Sequence, residues 1–318
     1  MTSIVFMGTP QFAAPILSSL IAQGYDVKAV VTQPDRRVGR KKVLTPTPVK
    51  QVALEHDLLV LQPQKLSGSP EMEQIIALEP DLIITAAYGQ FLPTKLLAAA
   101  QIAAINVHGS LLPKYRGGAP IQYAIKNGDP TTGVTIMYMV KEMDAGDMLA
   151  KVELPIGATD DAGTMFEKLS LAGRDLLNET LPKLIAGEIT PVAQDPALVT
   201  FSPTIQPAEE ELHLSQTAQE LDWQIRALRP APGAYFADFK GKRMKLWDIQ
   251  PLAETTDLAA GQVVEVTKKG LKIAAADQTV YAIQELQPAG KPKMAIQAYL
   301  NGMGQGLKVG QQVITDEK

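Results

Sequence analysis

Along the first half of the chain, short uninterrupted apolar runs alternate with stretches in which apolar residues return every three or four positions. Ser3 to Phe6, Asp26 to Thr32, Leu58 to Leu61, Asp81 to Ala87 and Ala103 to His108 are the short runs, and each predicts a strand. Between them, Gln11 to Ala22 predicts a helix with Phe12, Pro15, Ile16 and Leu20 near one face. Thr45 predicts an N-cap with Pro46 in the first helical position, opening a helix that reaches about His56. His56 continues the series Val49, Val52, Ala53 and is expected to be half-buried. Thr132 to Val140 and Met148 to Pro155 extend the sheet, and Ala162 to Ala186 is a long helix. Apolar strands alternating with helices imply an α/β fold, a Rossmann-like and mostly parallel sheet covered on both faces.

The pattern then changes. Pro191 to Pro207 carries prolines at 191, 196, 203 and 207 with little periodicity, which reads as a linker. Beyond it, Ala218 to Leu228 is helical, with Leu221, Ile225 and Leu228 on one side. Ala234 to Phe239, Met244 to Ile249, Gln262 to Thr267, Leu271 to Ala275 and Thr279 to Leu286 are short β runs, which suggest a small OB-like barrel. The expected organisation is a catalytic domain over 1–189, a linker over 190–207 and a C-terminal barrel over 208–318.

Composition narrows the class. At 318 residues the chain is long enough for two domains, and 46% apolar with 20% charged residues is ordinary for a globular protein. Cysteine is absent, which removes disulfides, thiolate nucleophiles and cysteine metal ligands and fits a reducing compartment. No signal peptide, membrane span or membrane association is expected, so the expected location is cytoplasmic and the expected state a monomer. The first turn, Met7-Gly8-Thr9-Pro10, lacks the dinucleotide fingerprint, and Walker-type and nucleophile-elbow patterns are missing too. Gly8 reads as a tight strand-to-helix turn. No His/Asp/Glu spacing suggests a metal site.

Candidate chemistry lies at the end of the strand Ala103 to His108. Asn106 and His108 are two residues apart and so share a face. Ligand sites of open parallel sheets form beyond the carboxyl ends of the strands, where this pair emerges. Asp144, in the turn Met143-Asp144-Ala145-Gly146-Asp147 after another strand, can complete a cluster. His213 has no partner in view.

The run His108-Gly109-Ser110-Leu111-Leu112-Pro113, preceded by Asn106 and followed by Arg116-Gly117-Gly118-Ala119-Pro120, resembles the signature of the 10-formyltetrahydrofolate-dependent formyltransferases. The turn Asp144-Ala145-Gly146-Asp147 is similar to that family's catalytic aspartate motif. Two further segments resemble its tRNA-directed branch: Thr32 to Arg40 with Thr45 to Lys50, and Ile225 to Ala234, where Arg229 and Ala231 depart from the usual Asn-Pro-Trp-Pro. The resemblance implies transfer of the formyl group of 10-formyltetrahydrofolate to the α-amine of methionyl-initiator tRNA, without a metal. In acyl transfer of this kind negative charge grows on the formyl oxygen and a proton must leave the amine. Asn106 and His108 are then expected to donate to that oxygen, with Asp144 favouring the charged imidazole and managing the proton. The resemblance also implies a pterin slot lined by the backbone of Tyr88, Gly89, Gln90, Phe91, Leu92 and Pro93. Ser110, Leu111, Leu112 and Pro113 of the signature run are expected to bind the folate as well.

Net charge is −4, yet residues 31–50 hold Arg36, Arg37, Arg40, Lys41, Lys42 and Lys50 against the single acid Asp35. This loop follows the second strand and therefore emerges on the same sheet edge as Asn106 and His108. Arg36, Arg37, Arg40, Lys41 and Lys42 are candidate tRNA contacts, with Arg40 at the family position thought to read the acceptor stem. Lys240, Lys242, Arg243 and Lys245 form a second basic cluster on the barrel, with Lys268 and Lys269 on a further turn. Two other readings remain open. One is a formyltransferase or 10-formyltetrahydrofolate hydrolase acting on a small molecule; the other is a non-catalytic RNA-binding protein.

Overall fold

The computed structural model of the protein describes residues 1–39 and 42–316. They form two compact units: Met1–Pro120 with Thr131–Pro155 and Met165–Pro203, and Ile121–Pro130 with Ile156–Thr164 and the chain from Thr204 onward.

In chain order the first unit contains β1 (Ser3–Gly8), α1 (Ala14–Ala22), β2 (Asp26–Val31), β3 (Arg36–Val38), β4 (Val43–Thr45), α2 (Pro48–Glu55) and β5 (Val60–Leu61). It continues with α3 (Pro70–Ala77), β6 (Leu82–Ala86), α4 (Thr94–Leu97) and β7 (Ala103–His108). After α5 (Pro120–Lys126) come β8 (Thr131–Tyr138), β9 (Met148–Pro155) and most of α6 (Ala162–Ile185). The seven-stranded sheet has the order β5-β2-β1-β6-β7-β8-β9. β5 to β7 are parallel, and β8 and β9 turn it antiparallel at one edge. The chain works outward from β1 through β2 to β5, then returns to β6 on the other side of β1. That reversal is a topological switch point, the place where the carboxyl ends of strands splay apart and leave a crevice.

Strand alternation fixes which face carries the chemistry. A Cβ added at Gly173 of α6 would lie 3.0 Å from Val107 Cγ1 and 3.4 Å from Val134, so both valines face α6. Asn106 and His108 therefore turn to the opposite face. There Ala104 packs with Met72 and Ile75 of α3 and Leu96 of α4.

Two local expectations are corrected. α2 is capped by Thr47, whose hydroxyl accepts from the Lys50 N–H, with Pro48 in the first turn, and not by Thr45 with Pro46. The sequence offers two Thr-Pro pairs in succession. The first threonine is already spent as the end of β4, paired with Arg36 across the hairpin, so the second caps the helix. His56 is exposed at the C-cap of α2 and not half-buried, because the helix ends one residue before it.

In the second unit, α7 (Ala218–Ala227) opens with a capping box in which Thr217 and Glu220 bond each other's backbone N–H. Its strands are β10 (Tyr235–Phe236), β11 (Asp238–Phe239), β12 (Met244–Thr255), β13 (Val263–Val266), β14 (Leu271–Ala274), β15 (Thr279–Pro288) and β16 (Met294–Ala295). They are followed by α8 (Ile296–Leu300) and β17 (Ile314–Thr315). β10-β12-β15-β14-β13 form an antiparallel sheet with β16 paired to β15, and β11 pairs separately with β17. The single run expected over 234–239 thus splits at Ala237, and its halves serve two sheets around one core. Leu221, Ile225 and Leu228 enter that core beside Leu246, Ile249 and Tyr281. No described helix is long and apolar enough to cross a membrane.

Candidate active site

Asn106, His108 and Asp144 converge at the carboxyl end of β7. Asn106 Nδ2 lies 3.4 Å from Asp144 Oδ1, and His108 Nδ1 lies 3.7 Å from Asp144 Oδ2. The imidazole and the carboxylate are 6% and 15% exposed, so charge developing between them is little screened by water. Neither gap is a tight hydrogen bond, which leaves Nδ2 and Nδ1 able to turn to a substrate.

Each member is held from behind. Asn106 sits beside Thr85 in the parallel register of β6 and β7. The Thr85 hydroxyl donates to Asn106 Oδ1 at 2.8 Å, which fixes the amide with its N–H groups outward. His108 Nε2 bonds the Tyr115 carbonyl at 2.9 Å. A carbonyl only accepts, so Nε2 carries the hydrogen and Nδ1 is the nitrogen that faces Asp144. Opposite His108 on β8, the Thr135 hydroxyl donates to the Ser110 carbonyl at 2.7 Å and accepts from the Leu112 N–H at 3.2 Å, curling the signature run over the strand end. Asp144 Oδ2 accepts from the Gly117 N–H at 2.9 Å.

The backbone is bent to make this possible. Ala87, Tyr115 and Asp144 all take left-handed conformations, with φ of 47°, 62° and 50°. Such values are uncommon away from glycine and cluster at functional sites. Gly117, at φ 124°, has no room for a side chain: a Cβ there would stand 2.6 Å from the Ser202 carbonyl oxygen. Gly117→Ala is expected to push its N–H off Asp144, costing on the order of 2 kcal/mol or more of stability. Thermal melting with turnover measured on the same preparation checks this; an unchanged melt and unchanged turnover would refute it.

Of the expected pterin residues, Tyr88 is buried, and its hydroxyl has no hydrogen-bond partner among the described residues. Burial, aided by Glu71, pushes its pKa up to about 12. Thr9 Oγ1 donates to the Tyr88 carbonyl at 2.9 Å, across the β1–β6 switch point. Left-handed Ala87 and Gly89 lift this backbone off the sheet ladder, so its peptide edges can serve a flat polar heterocycle. Phe91 is 60% exposed and offers apolar surface, whereas Leu92 belongs to the core under α3 and α4. Gln90 is internally committed: it accepts from the Leu66 N–H and donates to the Pro63 and Gln64 carbonyls. Pro93 is the N-cap of α4. Ser110 and Leu112 are fully buried, and Leu111 lies against Gly133. Pro113 follows a cis peptide bond. Gly8 is tight as expected, since a Cβ there would meet Ala13 Cβ at 2.7 Å.

The basic loop folds as the β3–β4 hairpin, exposed along its described length. Asp35 at its base is engaged by Lys50 at 2.7 Å and by Gln62 at 2.8 Å. These bonds, that from Lys50 first, hold the Asp35 carboxyl below its ordinary range. The only acid of residues 31–50 is thus neutralised by a lysine on α2. Arg36, Arg37 and Lys42 project from the hairpin beside exposed Val38, Val43 and Leu44. Arg40 and Lys41 lie outside the described residues. In the second unit, Lys240, Lys242 and Arg243 are exposed. Arg243 stacks 3.4 Å over the Tyr235 ring. Lys245 donates to the Pro232 carbonyl and, with Lys293, flanks Trp247 at 5.6 and 5.7 Å. Arg229 is an internal tie, bound to Asp161 at 2.7 Å and Asp248 at 3.1 Å. Among the described residues no group of His, Cys, Asp or Glu could hold a metal ion.

Sequence reasoning missed Thr85, the Tyr115 carbonyl, Thr135 and Gln194. Thr85 and Thr135 act through contacts that appear only once neighbouring strands are in register, and the Tyr115 carbonyl reaches His108 only because the signature run curls back over the strand end. Gln194 lies in the proline-rich stretch, which carries no chemical pattern. Residues 192–202 are bonded to the first unit through Val192 with Met148 and through Thr200 and Ser202 with Arg116.

A switch-point crevice with an amide, an imidazole and a carboxylate converging beside it is the equipment of an acyl-group transferase. The formyl transferase family matches residues 1–181, and the formyl transferase C-terminal domain matches residues 204–304. A methionyl-tRNA formyltransferase from Ligilactobacillus salivarius is 67% identical over 318 residues, covering 100% of both chains. That from Lactiplantibacillus plantarum is 66% identical, covering 99% of each. Solved structures share the fold at low identity. An N-formyltransferase from Helicobacter canadensis, in complex with folinic acid and dTDP-3-aminofucose, aligns with a TM-score of 0.70 at 16% identity, over 91% of this chain and all of that one. HypX from Aquifex aeolicus in complex with tetrahydrofolic acid aligns at 0.65 and 17%, over 96% of this chain and 48% of that one. The chain belongs to the formyl transferase family and, within it, to the methionyl-tRNA formyltransferases.

Proposed function

We infer that the protein transfers the formyl group of 10-formyltetrahydrofolate to the α-amine of methionyl-initiator tRNA, with Asn106, His108 and Asp144 as its catalytic residues. The observation that carries the site assignment is the convergence of these three polar groups within 3.4 and 3.7 Å at one strand end. The neutral amine bonds to the formyl carbon while the bond from that carbon to folate N10 breaks. Charge gathers on the formyl oxygen, where the donors left available by Thr85 and Tyr115 are Asn106 Nδ2 and, in the imidazolium form that carries a hydrogen on both nitrogens, His108 Nδ1. Asp144 accepts the proton released by the amine and passes it toward N10, directly or through water.

The folate lies against the 88–93 segment, with peptide edges for the pterin and Phe91 as an apolar contact. The β3–β4 hairpin engages the acceptor end of the tRNA, and the second unit, through Lys240, Lys242, Arg243 and Lys245, holds its body. The proposal includes action as a monomer in the cytoplasm; a chain without cysteine suits a reducing compartment, and sedimentation checks the monomer.

The test is N-formylation in the presence of 10-formyltetrahydrofolate, with charged methionyl-initiator tRNA or a free amine as acceptor. Product on the charged tRNA alone is expected. Formylation of the free amine, or simple release of formate, would move the assignment to a small-molecule enzyme. A second experiment separates hairpin from chemistry. Arg36→Glu with Arg37→Glu is expected to raise KM for tRNA about tenfold or more and to leave KM for the folate unchanged. It should also flatten the dependence of tRNA affinity on salt, by roughly 0.7 to 0.9 in log–log slope for each phosphate the hairpin no longer neutralises. Unchanged salt dependence would place the tRNA elsewhere.

A further inference from the structure

The turn that presents Asp144 is gripped by a side chain outside the catalytic trio. Val192 and Met148 exchange backbone hydrogen bonds of 2.8 and 2.9 Å as an antiparallel bridge. Two residues on, Gln194 falls opposite Gly146, half-buried in an otherwise exposed run. Its Nε2 donates both hydrogens, one to the Asp144 carbonyl and one to the Gly146 carbonyl, each at 2.8 Å. Its Oε1 accepts twice from one guanidinium, at 3.0 Å from Arg116 Nε and 2.8 Å from Nη2. The residue after that arginine is Gly117, whose N–H binds the Asp144 carboxylate.

We propose that Gln194 is a positioning residue for Asp144. One amide fixes the main chain of the left-handed aspartate and also anchors the segment whose next N–H holds its carboxylate. Two donors and a double acceptor within one short planar group are what the place demands. Glutamate lacks the donors, lysine lacks the acceptor, and a hydroxyl is too short for either reach. Gly146 leaves no slack on the other side, because a Cβ there would stand 1.9 Å from the Tyr138 carbonyl oxygen. Without the amide, Asp144 is free to leave its unfavoured backbone conformation and carry the carboxylate away from Asn106 and His108. The inference rests on the reading of Asp144 as the group that manages the proton.

The full chain is the right test object. Gln194→Ala and Gln194→Glu are each expected to lower kcat roughly 10- to 100-fold, the scale of a misplaced catalytic group. KM for the folate and for the charged tRNA should stay within about threefold. Glutamate keeps the length and the acceptor, so it serves where the alanine variant folds poorly, and rates are read well below each variant's melting temperature. The decisive measurement is a double-mutant cycle. On an Asp144→Asn background, Gln194→Ala should add less than about a twofold further loss, because it acts only through Asp144. A merely structural role would multiply the two losses, and that result overturns the inference. So does a near-normal kcat in both Gln194 variants while Asp144→Asn is crippled. Near-normal turnover in Asp144→Asn itself would instead overturn the underlying reading of the aspartate.

Discussion

Asn106→Ala is expected to lower kcat about 100- to 1,000-fold, the usual consequence of removing one donor from a developing oxyanion. The amide is an unusually clean probe because its two ends do different things. Oδ1 is spent inward on Thr85, so only Nδ2 is available to the substrate. Truncation leaves no stranded buried donor, since the Thr85 hydroxyl also has the Ile105 carbonyl within 3.3 Å. Stability should accordingly change little, and the loss should appear in kcat with KM for both substrates nearly constant, as for an interaction made only in the transition state. Asn106→Asp sharpens the expectation. It preserves shape but replaces the outward donor with a carboxylate oxygen facing Asp144 at the 3.4 Å now spanned by Nδ2. Turnover should fall below that of the alanine variant at neutral pH, from repulsion of the oxyanion as well as loss of the donor. Single-turnover assays with saturating folate would decide it; an alanine variant within about fivefold of the parent removes Asn106 from the chemistry.

What the sequence made legible follows the range over which each signal acts. β7 was readable to the residue, because a fully apolar strand that turns polar at its last same-face positions announces both its burial and its exit toward a crevice. α7 was readable because the Thr217 to Glu220 capping box is local chemistry. The cap of α2 is ambiguous in the sequence because two Thr-Pro pairs are equivalent until strand β4 claims the first through Arg36, a contact made across the hairpin. Ala234 to Phe239 looked like one strand because alternation cannot report that Phe236 pairs with Met244 while Phe239 pairs with Ile314. The catalytic trio could be named from motif and strand-end logic, but its supporting shell could not. Thr85, Thr135 and Gln194 each act on residues 20 or more positions away, through registers that the one-dimensional pattern does not contain.

The largest effect is expected at Asp144. Asp144→Asn should reduce turnover by about 1,000-fold or more, toward the upper range for loss of a general acid–base group. The substitution is nearly isosteric, and the new carbonyl oxygen can still accept from the Gly117 N–H. The amide nitrogen then points at Asn106 Nδ2, donor against donor, and it cannot take the proton that the attacking amine must shed. Both faults act on the chemical step, so affinity for charged tRNA and folate should survive. Asp144→Ala provides the complementary experiment, because removing the carboxylate leaves room for a small diffusible one. If the aspartate moves a proton, turnover of the alanine variant should rise with added formate or acetate, and that of the asparagine variant should not, its site being filled. A wholly electrostatic role predicts rescue that follows the charge of the added ion and ignores its basicity. Comparing carboxylates of graded pKa therefore separates proton transfer from charge placement. Rescue that is flat across that series would take the proton away from Asp144 and leave it the placing of charge, whereas turnover of Asp144→Asn within about tenfold of the parent would leave the pair of side chains on β7 as the whole of the catalytic apparatus.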